Sequence, residues 1–123
     1  MTQVIAHRGA SKAFPENTVE AFRGAAAMGA DMVELDVRAT AEGYLVIHHD
    51  AHLPDGRVIY DLHARDLPSD VPDLAAAIEA CGEMAVNVEV KNSRQDPDFD
   101  NERTVAAEVA RFVGCRSLHD QVL

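Results

Sequence analysis

The stretch "DMVELDV", residues 31–37, alternates without interruption: Val33, Leu35 and Val37 fall in one phase, Glu34 and Asp36 in the other. A period of two marks a β-strand, whose successive side chains point to opposite faces. The same pattern returns in "MAVNVEVKN", residues 84–92, where Val86, Val88 and Val90 alternate with Asn87, Glu89 and Lys91. Each of these strands therefore has an apolar face and a polar one. In an open doubly wound sheet both faces lie under helices, and a whole polar face would be buried without partners. In a closed barrel the apolar face meets the outer helices while the other points inward, where polar groups at the carboxyl ends of the strands can form a site. The alternation selects the barrel.

Reading outward, "QVIA" (3–6) is a short apolar strand. A helix follows in "NTVEAFRGAAAMG" (17–29), with Pro15 upstream, Asn17 or Thr18 as N-cap, Val19, Phe22 and Ala26 along one face, and Gly29 as the stop. "YLVIHHD" (44–50) is a further apolar strand, and the six residues "RATAEG" before it carry a turn signal at Glu42-Gly43 but no room for a helix. Residues 51–72 hold "LPDG", "LPSD" and "VPD", loop chemistry with at most a short helical turn, before "PDLAAAIEACG" (72–82) forms a helix. Beyond the strand at 84–92 lies a polar loop, "SRQDPDFD"; Asp100 then caps "NERTVAAEVARFVG", and "DQVL" begins another apolar run.

Strands alternating with helices predict an α/β fold with a largely parallel sheet. Four strands precede "DQVL", and a complete (β/α)8 barrel takes about 250 residues. The 123 residues therefore read as one domain, 1–123, the N-terminal half of a TIM-type barrel that stops before its fifth barrel strand. Open barrel edges carry unpaired backbone groups. They predict either a poorly folded fragment or a homodimer that closes its own barrel, with weak or no activity in isolation.

Composition narrows the partners. A net charge of −10 with only 11 Lys and Arg leaves no basic face for a nucleic-acid backbone or an acidic bilayer. Cys81 and Cys115 are too few for a disulfide framework and read as reduced packing residues. Neither a secretory signal nor a long apolar span is evident, which predicts a cytoplasmic protein.

The chemistry collects at strand ends: His7 and Arg8, Glu34 and Asp36, His49 and Asp50, Glu89 and Lys91. If Glu34, Asp36 and Glu89 converge to about 4 Å at an effective dielectric of about 20, each ionised pair repels by roughly 4 kcal/mol. Three such pairs rival the whole stability of a domain, about 5 to 15 kcal/mol. Protons or a cation must neutralise them, and an all-oxygen set suits Mg²⁺ or Ca²⁺ better than zinc. Histidines beside a metal suit general acid and base roles, and Arg8 and Lys91 offer cationic donors to an anionic substrate. Phosphoryl chemistry follows. His48 falls on the face opposite His49 by alternation, and His52, His63 and His119 read as surface residues. Asp50 stands nearer the site than Asp31, Glu16 reads either as a structural group bonded to the backbone of its loop or as one near the metal, and the run "QDPDFDNE" reads as a solvated face.

Together "IAHRGASKAFPENTVEAF", "VELDVRATAEGYLVIHHDAHL" and "VNVEVKN" resemble the glycerophosphodiester phosphodiesterases, in order and over essentially the whole chain. The resemblance implies a TIM-type barrel that uses a divalent cation to hydrolyse small-molecule glycerophosphodiesters to glycerol 3-phosphate and an alcohol. It implies His7 and His49 as the catalytic histidines, Glu34, Asp36 and Glu89 as metal ligands, and Arg8 and Lys91 as phosphate contacts. In the family the glycerol 2-hydroxyl attacks phosphorus and water opens the resulting cyclic phosphate. The segment after His49-Asp50 departs from the family pattern, lacking its arginine-threonine stretch, so headgroup preference is not implied. Competing readings are a non-catalytic half-barrel or interaction module, and a lipid phosphodiesterase of the sphingomyelinase D type. The secretion and disulfides of that last group have no counterpart in this sequence.

Overall fold

The computed structural model describes residues 2–123. Strand β1 (Ile5–His7) leads through a loop into helix α1 (Val19–Ala27), which returns the chain to β2 (Met32–Ala39) beside β1 in parallel. Strand β3 (Leu45–Ile47) folds back from the far end of β2. A long segment with 3-10 turns at Ile59–Asp61 and Ala64–Asp66 then reaches α2 (Leu74–Cys81). Helix α2 leads to β4 (Ala85–Val90), parallel to β2 on the side away from β1, and α3 (Thr104–Cys115) follows.

The expected count of four barrel strands needs correction. β3 pairs antiparallel with β2, Val37 opposite Ile47 and Ala39 opposite Leu45, so only β1, β2 and β4 form the parallel series. The reason is the six-residue connection: too short for a crossover, it can only make a hairpin. At the chain's end Val86 N–H donates to Gln121 O and Leu123 N–H donates to Val86 O, both at 2.8 Å. A further parallel strand has thus begun on β4, and it is the fourth of the series rather than the fifth. On the other side β1 pairs only with β2 among the described residues, and Val4 and Ile5 stand more than half exposed.

The apolar phase of the strands makes the core. Val33, Leu35, Val37 and Val86 are fully buried and pack under Phe22 and Ala25 of α1 and Leu74, Ala77, Ile78 and Cys81 of α2. On α1 the buried stripe runs Thr18, Ala21, Phe22, Ala25, an i, i+3, i+4, i+7 set that leaves the expected Ala26 in solvent. Thr18 is the N-cap, its hydroxyl accepting from Ala21 N–H at 3.2 Å. Asp73 caps α2 in the same way, at 2.7 Å to Ala76 N–H. Asp100 caps α3 from farther upstream, accepting from Val105 N–H at 2.9 Å and the Thr104 hydroxyl at 3.0 Å. Loop 51–72 covers a second small cluster of Val46, Leu53 and Ile59. Cys81 is a packing residue, its thiol pushed up to about 12 by burial, whereas Cys115 is exposed and packs nothing. Among the described residues no helix is long and apolar enough to cross a membrane.

Candidate active site

Register brings the carboxylates together. Asp36 on β2 stands opposite Glu89 on β4, and one pleat earlier Glu34 stands opposite His7 on β1. Residues paired across parallel strands share a face, and neighbouring strands lie about 4.8 Å apart. One carboxylate oxygen from each of Glu34, Asp36 and Glu89 accordingly lies within 4.8 Å of the others. Asp36 is fully buried and Glu34 nearly so, while Glu89 opens to solvent.

Cations and one amide surround this cluster. Lys91 Nζ sits 2.9 Å from Glu89 Oε1 and 3.8 Å from Asp36 Oδ1. Arg8 Nε lies 3.2 Å from Asp36 Oδ2, and its Nη1 donates to Glu16 Oε2 at 2.7 Å. Glu16 thus bonds a site side chain rather than its own loop backbone. Asn17 had no role in the sequence reading beyond a possible cap. It is buried, and its amide donates to Asp36 Oδ2 at 2.9 Å. Arg8 and Asn17 both hold left-handed backbone, φ 58° and 57°, the geometry that turns the loop back over β2. The signal for Asn17 was present in "PENT": one N-cap is enough, and Thr18 supplies it.

The electrostatics separate the carboxylates. Burial first, then the Asp36 charge and the neighbouring Glu89 carboxyl, raise the Glu34 carboxyl above its usual range. The Lys91 ammonium, by hydrogen bond and charge, holds Glu89 below its own. Burial opposes ionisation where no cation is in contact, and a bonded ammonium outweighs it where one is.

The histidines stand on either side. His7 Nε2 lies 3.7 Å from Glu34 Oε2 on a largely exposed ring. His49 Nδ1 meets Asp50 Oδ1 at 2.6 Å, which lowers the Asp50 carboxyl and leaves His49 Nε2 free. β3 ends at Ile47, so strand alternation does not extend to His48 and His49, and both line a cleft of about 740 Å³ with Glu16, Asn17, Asp50 and Leu53. The two differ in their partners: His48 Nδ1 meets a backbone carbonyl, Asp50 O at 2.8 Å, where His49 Nδ1 meets a carboxylate. His63 pairs with Glu42 away from the site, and Asp31 accepts from Val4 N–H. The run "QDPDFDNE" is a solvated face only in part: Gln95, Pro97, Phe99, Asn101 and Glu102 are exposed, but Asp96 and Asp98 turn in to clasp the buried guanidinium of Arg38, the next polar-phase residue on β2.

The donor set suits a hard divalent ion. Glu34 Oε1 and Asp36 Oδ1 are buried with no hydrogen-bond partner. Two orphaned anionic oxygens beside a third carboxylate are costly unless a cation takes them up. Oxygens on a common Mg²⁺ or Ca²⁺ at about 2.0 to 2.6 Å lie within roughly 5 Å of one another, which this cluster satisfies.

Three parallel strands that gather carboxylates, histidines and basic side chains at their carboxyl ends place them where a (β/α) barrel builds its site. Residues 7–122 match the model of the glycerophosphoryl diester phosphodiesterase family, and the chain belongs to that family. Over 49 residues it is 59% identical to a glycerophosphodiester phosphodiesterase of Caldanaerobacter subterraneus subsp. tengcongensis, a match covering 40% of this chain and 20% of the relative. Its fold is similar to a glycerophosphodiester phosphodiesterase from Thermotoga maritima, with TM-score 0.81 and 26% identity over 99% of this chain and 53% of that one. It is also similar to a phosphodiesterase from Oleispira antarctica in complex with the product sn-glycerol-3-phosphate, with TM-score 0.81 and 30% identity over 93% of this chain and 52% of that one. The chain spans about half the length of these solved structures.

Proposed function

We propose that residues 1–123 form the N-terminal portion of a glycerophosphodiester phosphodiesterase barrel and carry its charged site, hydrolysing glycerophosphodiesters to glycerol 3-phosphate and an alcohol. The observation that carries this reading is the convergence of Glu34, Asp36 and Glu89 with two orphaned buried oxygens, flanked by His7 and His49. Glu34, Asp36 and Glu89 would hold the divalent ion, Mg²⁺ or Ca²⁺. Bound there, it would supply Lewis-acid polarisation of a non-bridging phosphoryl oxygen. Arg8 and Lys91 present cationic donors to the phosphate from either side of Asp36. His49, with Nδ1 held by Asp50, moves a proton at Nε2, and His7 serves the opposite transfer from the other side of the carboxylates. The free thiols of Cys81 and Cys115 fit a reducing, cytoplasmic setting.

The half-barrel reading also sets the expected rate. With β1 and the run at 121–123 as open edges, the chain alone associates or turns over slowly. Glycerol 3-phosphate release from glycerophosphocholine and glycerophosphoethanolamine, measured on the purified chain with Mg²⁺, Ca²⁺ or chelator, tests both points. Divalent-dependent release below about 1 per second, the bottom of the usual range, is the expected result. Metal binding without any release would favour the interaction-module reading, and release unaffected by chelator would overturn the site.

A further inference from the structure

We propose that Arg38 is the positioning residue for His49, locking that residue's backbone to the strand that carries the metal ligands; His49's role in the chemistry rests on the phosphodiesterase reading above. Arg38 sits on β2 two residues beyond Asp36, in the polar phase of the strand, with a side chain only 2% exposed. Its guanidinium has five N–H donors in a rigid plane, and every one is used. Nε and Nη2 both donate to His49 O, at 2.9 and 2.7 Å. Nη1 donates to both oxygens of Asp98, at 2.9 and 2.8 Å, and Nη2 donates to Asp96 Oδ2 at 3.0 Å.

A buried guanidinium needs its charge answered, and Asp96 and Asp98 answer it. Charge balance does not require the third partner. Two donors from one planar fork on a single carbonyl fix the tilt of that peptide as well as its position, which a point-charge ammonium cannot do. The ring is held at its other end, Nδ1 to Asp50 Oδ1 at 2.6 Å. With the carbonyl and Nδ1 both clamped, Nε2 is left as the free nitrogen, presented from a backbone anchored to β2. Glu34, Asp36 and Arg38 lie on that one strand. The spacing between the proton-transferring nitrogen and the metal ligands is thereby set by a rigid element rather than by the loop on which His49 stands. Reacting groups need placement to about 0.5 Å. Asp96 and Asp98, 58 and 60 residues downstream, make the loop after β4 part of the same clamp.

Arg38→Lys keeps a charge for Asp96 and Asp98 but removes the fork. In the purified, isotope-labelled chain the His49 carbonyl carbon should move upfield and the His49 ring signals should broaden, with thermal stability changing little. Turnover of bis(4-nitrophenyl) phosphate should lose about 10- to 100-fold in kcat with KM within about threefold, the pattern of a misplaced group rather than lost binding. If Arg38→Lys fails to fold, Asp98→Asn, which loosens the anchor and keeps the fork, should move the same carbonyl in the same direction by less. An unmoved His49 carbonyl in the folded variants, or a moved one with unchanged kcat, overturns the proposal. A wild-type chain without turnover, combined with a moved carbonyl and broadened ring, leaves the clamp standing and removes only the reaction assigned to His49.

Discussion

Replacing Glu34 by Gln should have two effects of opposite sign. The three carboxylate oxygens lie within 4.8 Å of one another, so each ionised pair repels by at least about 3.5 kcal/mol at an effective dielectric near 20. Asp36 and Glu89 have cations against them, Arg8 at 3.2 Å and Lys91 at 2.9 Å. Glu34 has only the exposed His7 ring at 3.7 Å and the Arg8 N–H at 3.3 Å, and is the least compensated charge in the cluster. Burial already raises the Glu34 carboxyl, so its charged form is disfavoured and the surroundings relax around that charge in part. The metal-free protein should therefore gain only about 1 to 2 kcal/mol from Glu34→Gln, a fraction of the pair energy. Divalent affinity should fall by about 10- to 100-fold, since ligand charge sets the strength of an all-oxygen site.

Glu89→Gln supplies the control. It should weaken the metal comparably without stabilising the chelated protein, because it also strips Lys91 of its 2.9 Å partner. Urea unfolding in chelator and titration calorimetry with Mg²⁺ and Ca²⁺ read the two effects separately. Destabilisation by Glu34→Gln together with unchanged affinity would refute the reasoning at both steps.

Other expectations follow from the same geometry. His7→Ala or His49→Ala should each lower whatever turnover the chain supports by about 10²- to 10⁴-fold, while His48→Ala, whose Nδ1 is engaged by Asp50 O, should cost little; equal losses at 48 and 49 would move the site by one residue. Asn17→Ala should destabilise by about 1 to 3 kcal/mol by removing a donor from buried Asp36, measurable by urea titration, and no change would mean that water replaces the amide. Gly9 has φ 83° and lies against the Ala21 backbone, where a Cβ would meet carbon at 2.7 Å. Gly9→Ala should cost about 1 to 3 kcal/mol for the backbone strain alone, and a thermal midpoint equal to wild type would contradict that. Sedimentation should show concentration-dependent association through the β1 edge; a monomer at all concentrations would count against open, adhesive edges.

The convergence of the carboxylates was legible because they share one strand phase and one register. Val33, Leu35 and Val37 fix which face Glu34 and Asp36 take, and the parallel pairing of β2 with β4 then delivers Glu89 beside Asp36. A period-two pattern carries that information in contiguous residues. Arg38 belongs to the same phase, 34, 36, 38, yet "RATAEG" reads as a turn from its first residue, and the turn signal masked the strand's last polar side chain. Its partners could not be found locally at all. Asp96 and Asp98 lie 58 and 60 residues away in a loop whose composition resembles any solvated acidic run. The antiparallel direction of β3 was legible but not drawn: a connection of six residues excludes a helical crossover, and what it excludes leaves only a hairpin.

These omissions have a common physical source, and it bears on how the site is built. The clustered carboxylates stand on strands, where local periodicity places them. The groups that hold the surrounding site, Asn17 on Asp36 and Arg38 on His49, reach across 19 and 11 residues from loops and strand ends. Each is an uncharged amide or a buried guanidinium whose donors give up water on folding and depend on partners that the fold brings. An unpaired buried polar group costs about 1 to 3 kcal/mol or more, so such supports appear only when several segments arrive together. Arg38 makes this explicit: β2, the segment after β3 and the loop after β4 must all be in place before its five donors are filled. The clamp therefore couples the placement of His49 to the completed packing of β2 against β4, and fraying of the sheet edges should release the His49 carbonyl before it disperses the carboxylates of β2 and β4.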